Sequence, residues 1–149
     1  MFINMHGYLE SYFNDAKNSI LEKDEVVPAV LLFIDDIVLQ KSPFDFSDRG
    51  AAKKVIRSAI NRCNGQMVVL IFEAWIRGEN HTSPSFADDR KQAICVYGET
   101  IDDNMMILQE YEFDKNGGVV WGRSSKQTNL TSGRLIGFFK RKSILNKLK

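Results

Sequence analysis

Cysteine, proline and histidine are scarce in this chain of 149 residues, which contains two, three and two of them respectively. Two cysteines, Cys63 and Cys95, are too few for the disulfide framework of a small secreted protein. The first residues, "MFINMHGYLESYF", lack a basic start and a long apolar core, so they predict no secretory signal. The longest apolar run, 26–34, contains Pro28 and is far shorter than the ~20 residues that cross a bilayer. The sequence therefore predicts a cytoplasmic protein with no membrane partner.

An overall excess of charge of one sign is also missing, because the formal net charge is +1. Binding to nucleic acid or to another anionic surface would therefore need a local patch. Hydrophobic residues make up 44% of the chain and charged residues 26%, which are the proportions of a folded globular protein. A chain of this size buries roughly 70% of its unfolded surface. Because no internal repeat or linker is visible, we expect a single domain over residues 1–149.

The sequence shows neither a glycine-rich phosphate loop nor a paired nucleophile and histidine. Gly117-Gly118 belongs to a tight-turn pattern, and the other glycines are scattered, so no standard nucleotide site is predicted. His6 and His81 are the only imidazoles, and no cysteine or carboxylate stands at metal-ligand spacing around either. The two cysteines lie in apolar patterns that are typical of inert core thiols. The sequence predicts no cofactor and no metal ion.

Apolar spacing predicts two amphipathic helices. The first follows steps of three and four residues from Met5 to Ile20. The second, helix 48–63, has a cap at Ser47 or Asp48 and a left-handed stop at Asn64-Gly65. Its predicted buried stripe consists of Ala52, Val55, Ile56, Ala59, Ile60 and Cys63.

The remaining regular segments read as strands. The predicted strands are Ala29–Ile34 with an extension over 37–40, Met67–Ile76, Ala93–Gly98, Met105–Phe113 and Val119–Arg123. The first two strands are apolar on both faces, and a helix separates them, which predicts a right-handed crossover with the two strands parallel or separated by one other. The predicted fold is α+β: a mainly antiparallel sheet of about five strands in the order α-β-α-β-β-β-β, with both helices packed on one side and a basic C-terminal tail.

Carboxylates on two strands give one enzymatic hypothesis. If Glu73 lies opposite Cys95, Glu73 shares one sheet surface with Glu99. Trp75 and Tyr97 would then lie beside them. Two carboxylates next to aromatic rings could hold a metal ion or divide acid and base roles. The alternative is that this surface is the solvent-exposed face of an ordinary sheet.

Asp89 and Lys91 extend the enzymatic hypothesis. A carboxylate near a strand end followed by a lysine loosely resembles metal-dependent nucleases, in which carboxylates bind Mg²⁺ and a lysine assists the attacking water. The alternative function is therefore a metal-dependent hydrolase or nuclease that uses Glu73, Glu99, Asp89 and Lys91. In such enzymes the lysine follows its carboxylate on a strand, and this stretch fits that rule only at its edge.

Positive charge is concentrated on helix 48–63 and at the C-terminus. The residues concerned are Lys53, Lys54, Arg57 and Arg62 on the helix, and Lys140, Arg141 and Lys142 in the tail, followed by Lys147 and Lys149. Together they could contact phosphates, while Phe138 and Phe139 could stack on bases. Helices commonly carry lysine and arginine on a face that only contacts water, so nucleic-acid binding ranks below protein binding as a hypothesis.

Two short segments, "LIFEAWIRG" and "SPSFADDRKQAICVYGE", resemble a pattern found in an uncharacterised family of small bacterial and phage-borne α+β proteins. The matching positions are Glu73, Ala74, Trp75, Pro84, Ser85, Asp89, Arg90, Gly98 and Glu99. The match covers roughly residues 50–115, and Lys91 departs from the acidic residue of that pattern. The resemblance implies the layout of the elements and an origin in a mobile element, and it implies no activity.

The leading hypothesis is a non-enzymatic protein that binds another protein or itself. It follows from the lack of a convergent catalytic set and from the aromatic residues in and near the sheet, because an uncovered sheet face or edge is usually buried by a partner. The candidate binding residues are Trp75, Arg90, Trp121, Phe138 and Phe139. The alternative is that the C-terminal segment folds back as the cover. Loop 77–92 is predicted to be a hairpin connection fixed by Trp75 and Arg90.

Overall fold

A computed structural model of the chain describes residues 4–35, 37–43, 45–76, 91–131 and 136–139. Its elements are α1 (Met5–Lys23), β1 (Ala29–Ile34), β2 (Ile37–Pro43), α2 (Arg49–Cys63), β3 (Met67–Ile76), β4 (Lys91–Thr100), β5 (Asn104–Phe113) and β6 (Val119–Thr128). The strands form one sheet in the order β2-β1-β3-β4-β5-β6, and every neighbouring pair is antiparallel. The predicted α+β class with an antiparallel sheet is confirmed, with six strands in the described ranges instead of about five.

The additional strand, β2, arises where the sequence indicated only an extension of the first strand. Asp35 has a φ of 51°, a left-handed conformation in which aspartate is one of the better tolerated residues. The chain reverses there, and Ile34 pairs with Ile37. Because β2 brings the chain back before α2 begins, β3 enters the sheet beside β1 and antiparallel to it. The prediction that Ala29–Ile34 is the strand parallel to Met67–Ile76 is therefore wrong, and the crossover through α2 instead joins β2 to β3, which are parallel and separated by β1.

The two helices lie on opposite faces of the sheet. The buried side chains are Leu9, Phe13, Ala16 and Ile20 on α1, and Ala52, Ile56 and Ile60 on α2. α1 packs in one cluster with Val69 and Ile71 of β3, whereas α2 packs in a second cluster with Val68 and Leu70. Successive strand residues point to opposite faces, so the prediction that both helices pack on one side is wrong. Strands that are apolar on both faces need a cover on each side.

Both helices begin at side-chain caps. Asn4 and Asp48 each accept a hydrogen bond of 3.0 Å on Oδ1 from the backbone N–H three residues later, which satisfies one free donor of the first turn. The predicted cap at Asp48 is confirmed. α1 crosses β4 at Gly98, where a β-carbon would lie 2.9 Å from Leu9 Cδ2. Glycine at this position lets the helix lie close to the strand.

Residues 136–139 cover part of the sheet on the α2 side. Phe138 is only 2% exposed, and its ring centroid lies 6.5 Å from that of Tyr97 on β4. Ile136 and Phe139 pack against the same cluster. The sequence left two alternatives for the cover of the sheet, a partner or the C-terminal segment of the same chain. On the α2 side, residues 136–139 provide the cover from the same chain.

Candidate functional site

Glu73 and Glu99, the two carboxylates of the enzymatic hypothesis, lie on opposite faces of the sheet. In the β3–β4 register, Glu73 is opposite Ile94, not Cys95, and Glu99 is opposite Val68. A difference of one residue in register moves a side chain to the other face. Glu73 is therefore on the α1 side and Glu99 on the α2 side, and the predicted shared surface is wrong. These two carboxylates cannot bind the same metal ion.

Glu73 is engaged in hydrogen bonds within the fold. Its Oε1 accepts the backbone N–H of Val26 at 2.8 Å, which fixes the connection between α1 and β1. Tyr111 of β5 forms a side-chain hydrogen bond with the same carboxylate. Burial of the phenol, together with the nearby charge of Glu73, raises the pKa of Tyr111. The carboxylate thus ties β3 to β5 and to the end of the first connection.

Glu99 is fully buried on the α2 side and accepts three hydrogen bonds. Its Oε1 accepts the Tyr97 hydroxyl at 2.6 Å and the backbone N–H of Gly137 at 2.7 Å. Its Oε2 accepts the backbone N–H of Phe139 at 2.9 Å. A buried carboxylate is costly unless its oxygens are bonded in this way. Glu99 therefore binds the C-terminal segment of its own chain.

Several predicted residues lie outside the described residues, namely Asp89, Arg90, Lys140, Arg141 and Lys142. Trp75 and Lys91 are described only as strand residues, which pair with Gln92 and Ile76 respectively. The prediction for loop 77–92 falls almost entirely outside the described ranges, which resume at Lys91. Among the residues that are described, no three of His, Cys, Asp and Glu come together as metal ligands could.

The described aromatic candidates contribute to internal packing. Trp121 lies on the α1 side of β6, with its ring centroid 6.3 Å from that of Tyr111. The Lys17 ammonium lies 4.6 Å from the centroid of the Trp121 ring, a cation–π contact that joins α1 to β6. Phe138 belongs to the core on the other side, and Phe139 is half-buried beside it.

α2 carries five positive charges and no negative charge. The five are Arg49, Lys53, Lys54, Arg57 and Arg62. Arg49, Lys53 and Arg57 recur every four residues and so form one row about 6 Å apart, which we call the basic flank. Within the described parts of the chain, no carboxylate forms an ion pair with any of the five. Sequence reasoning identified four of them and missed Arg49, although its spacing from Lys53 was a usable signal.

The positive charges of the basic flank repel one another along α2. Like charges four residues apart destabilise a helix by about 0.2–0.5 kcal/mol per pair. Arg49 is held in place, with its guanidinium carbon 5.2 Å from the centroid of the Phe72 ring. A row of cations that is kept at a cost in stability is typical of a site that meets negative charge from outside the chain.

The near-neutral net charge conceals a strong separation of charge. α2 contributes five positive charges and residues 140–149 contribute five more, so a net charge of +1 leaves −9 on all other residues. The C-terminal segment approaches the basic flank, because a β-carbon on Gly137 would lie 3.6 Å from Lys53 Nζ. Gly137 has a φ of 85°, which glycine adopts without strain. Lys140, Arg141 and Lys142 follow Phe139 directly.

A cavity of about 330 Å³ opens where the start of α1 meets the turn between β4 and β5. Its lining residues are Asn4, Met5, His6, Asp103, Asn104, Met105, Thr128 and Asn129. The Asn4 side chain caps α1, and the Asn104 side chain bonds the backbone of Leu130. His6 Nε2 lies 3.6 Å from the Glu10 carboxylate. The side chains of Asn4 and Asn104 thus already have partners within the fold.

The physical roles of Glu73, Gly98 and Glu99 account for part of the pattern seen in the sequence. Glu73 joins elements on one side, Gly98 admits α1, and Glu99 binds the C-terminal segment. Each of these three roles is structural. Comparisons with protein families, with curated proteins and with solved structures find no match for this chain.

Proposed function

We propose that this protein binds nucleic acid through the phosphate backbone, with α2 as the principal contact. The observation that carries the proposal is the set of five cations on α2, which has no acidic residue and no ion-pair partner in the described ranges. Lysine and arginine neutralise backbone phosphates without reading base sequence. The basic flank places three charges along about 12 Å, which suits an extended polyanion. The proposed binding is therefore independent of sequence.

An anionic membrane surface fits α2 less well than nucleic acid does. A helix that lies in a membrane interface turns its apolar face toward the lipid. The apolar face of α2 is buried against the sheet, and Val55 is its exposed large hydrophobic side chain. Neither described helix has the length and apolar character to span a membrane.

A salt titration of binding tests the proposal. Fluorescein-labelled single-stranded and double-stranded oligonucleotides of unrelated sequence are titrated with the full chain, and fluorescence anisotropy is measured at rising KCl. About five phosphate contacts predict that the logarithm of the association constant falls with the logarithm of salt at a slope of about −3.5 to −4.5. Oligonucleotides of different sequence should behave alike. Binding that survives high salt, or its absence at low salt, contradicts the proposal.

Self-association is a second candidate, because β6 leaves one edge of the sheet unpaired. In the described chain β6 pairs only with β5, and an edge strand presents free N–H and C=O groups to another strand. Val120 is 44% exposed on the side away from α1. Arg123, Lys126 and a register shift opposite Gln109 and Tyr111 interrupt this edge, as is common where a sheet ends. The partner in this candidate is a second copy of the chain.

Light scattering at rising protein concentration tests self-association. If two copies pair along β6, the molar mass should approach that of a dimer, and the double variant Val120→Lys, Gln127→Lys should be a monomer because its added charges would meet across the new edge. Leu21→Lys, on an exposed position of α1, is the matched control and should leave the mass unchanged. A monomer at every concentration rules this candidate out.

A further inference from the structure

Phe72 of β3 lies beneath the residue at which the basic flank of α2 begins. Its side chain is 4% exposed and belongs to the same buried cluster as Phe46 and Cys95. The ring centroids of Phe46 and Phe72 are 5.4 Å apart, so the two rings form one aromatic surface. Arg49, the first residue of α2, has its guanidinium carbon 5.2 Å from the centroid of the Phe72 ring. The flank therefore starts with a cation that rests on an aromatic ring.

Arg49 differs from the other cations of α2 in its surroundings. It is half-buried, whereas Lys54 and Arg62 are exposed, and in the described ranges no other cation of α2 lies over an aromatic ring. Its charge also acts on β4: burial raises the pKa of the Cys95 thiol to about 12, and the positive charge of Arg49 opposes that rise. The guanidinium is therefore held against the sheet and does not extend freely into solvent.

A guanidinium in this position keeps its hydrogen-bond donors available. Its N–H groups form a planar fork that matches two oxygens of one phosphate. A cation–π contact is an attraction between the charge and the face of the ring, so it occupies none of these donors. Within the described parts of the chain, the Arg49 guanidinium donates no hydrogen bond to a protein group. Because a side chain that is already ordered loses less freedom when it binds, its contact with a phosphate contributes more to affinity.

We infer that Phe72 is a positioning residue for nucleic-acid binding, which holds the Arg49 guanidinium in the orientation that binds a backbone phosphate at the start of the basic flank. This inference rests on the proposed function. Lys53 and Arg57 follow Arg49 at intervals of about 6 Å along the helix, so a phosphate fixed at Arg49 determines where the neighbouring phosphates meet the flank. Phe72 is buried and acts only through Arg49.

A double-mutant cycle on the full chain tests the inference. The variants are Arg49→Gln, Phe72→Leu and their combination, and the probes are the labelled oligonucleotides under salt titration. Arg49→Gln should weaken binding on the order of 10-fold and lower the magnitude of the salt slope by about 1. Phe72→Leu should weaken binding about 3-fold and leave the slope unchanged, because every charge remains. In the combination, Phe72→Leu should add nothing to the loss; losses that multiply overturn the inference.

Two conservative variants separate the orientation of the guanidinium from its charge. Phe72→Tyr keeps an aromatic ring beneath Arg49, so binding should stay within about 2-fold of that of the unaltered protein. Arg49→Lys keeps the charge and removes the planar fork, so it should weaken binding about 5-fold at an unchanged salt slope. If Arg49→Lys binds as tightly as the unaltered protein, charge alone is sufficient and the positioning role is wrong. This variant decides the question even if Phe72→Leu does not fold.

Phe33→Leu is the matched control for a change within the core. Phe33 is also a buried phenylalanine of the sheet, but it lies on the α1 side. Its substitution should therefore leave oligonucleotide binding unchanged. Circular dichroism and thermal unfolding of each variant report whether the fold is kept and how far its stability falls. An equal loss of binding in Phe33→Leu and Phe72→Leu would mean that lower stability, and not the contact with Arg49, is the cause.

The two levels of the proposal fail in different ways. The variant Lys53→Gln, Arg57→Gln tests the proposed function directly, because it alters α2 and leaves the contact between Arg49 and Phe72 in place. If this variant binds as tightly as the unaltered protein, the proposed function is wrong. If it binds weakly while Phe72→Leu binds normally, α2 binds nucleic acid and only the role of Phe72 is wrong.

Discussion

Exchange of Lys53, Lys54 and Arg57 for glutamate is expected to weaken oligonucleotide binding on the order of 1,000-fold at low salt. The triple variant removes three of about five phosphate contacts and places three negative charges against the phosphates. Each lost contact should also lower the magnitude of the salt slope by about 1. Anisotropy titrations of the variant and of the unaltered protein, at several KCl concentrations, measure both quantities. The loss should be the same for oligonucleotides of unrelated sequence.

A second triple variant controls for net charge. Lys23→Glu, Lys115→Glu and Arg123→Glu change the charge by the same amount at exposed positions away from α2. A much smaller loss is expected, because these residues are spread over α1, the β5–β6 turn and β6. Equal losses in the two triple variants would mean that net charge, and not the surface of α2, governs binding.

The stability of the α2 variant gives an independent check. The changes Lys53→Glu and Arg57→Glu place two carboxylates four residues apart, and the first of them stands four residues from Arg49. Repulsion along the basic flank is thereby exchanged for a mixture of attraction and repulsion. The midpoint of thermal unfolding should therefore stay within a few degrees of the original value. A residue set that can be exchanged without loss of stability, but with loss of binding, serves a partner more than the fold.

Replacement of Phe33 by alanine is expected to lower the free energy of unfolding by about 3–5 kcal/mol. Phe33 is fully buried between α1 and the sheet, with its ring centroid 4.7 Å from that of Tyr8 and 6.4 Å from that of Tyr12. The substitution leaves a cavity in the α1 layer and removes these aromatic contacts. Urea unfolding followed by circular dichroism measures the change as a lower midpoint at an unchanged slope. A change below about 1 kcal/mol would mean that α1 does not pack on β1 as described.

A milder pair of substitutions tests the two-sided core. Ile20→Val on α1 and Ile56→Val on α2 should each cost about 0.5–1.5 kcal/mol. Because the sheet separates the two side chains, their effects should add to within about 0.5 kcal/mol in the double variant. Strong coupling between them would indicate that the two helices share one layer.

Much of the fold could be predicted because its signals are local. Both helices follow apolar residues at steps of three and four, and Asp48 was identified as a cap. The face of the sheet to which each strand residue points was harder to predict, since it depends on the register in which neighbouring strands pair. A long segment joins β3 to β4, and its length does not reveal where pairing begins. The assumed pair Glu73–Cys95 was wrong by one residue, and that shift reversed the side on which Glu73 lies.

The candidate site was predicted in part for the same reason. Four of the five cations on α2 were visible in the sequence, because they stand within one helix. The role of Glu99 was not visible, since its hydrogen bonds reach residues 38 and 40 positions away. No periodicity links residues at such distances. Similarly, Asp35 shows in the sequence only that the apolar run of the first strand is interrupted. The reversal of the chain into β2 is seen only in the structure, where Ile34 pairs with Ile37.

The hydrogen bonds of Glu99 affect the order in which the two sides of the sheet can pack during synthesis. Its last partner, Phe139, follows it by 40 residues in the chain. At synthesis rates of about 5–20 residues per second, this interval takes roughly 2–8 s. Throughout this interval Glu99 lacks the backbone N–H groups of Gly137 and Phe139. The residues of β1, β3 and β4 that pack against α1 have by then been made, and those of β5 and β6 follow before residue 136. The α1 side of these strands can therefore pack first, and the α2 side is completed only when residues 136–139 have been made.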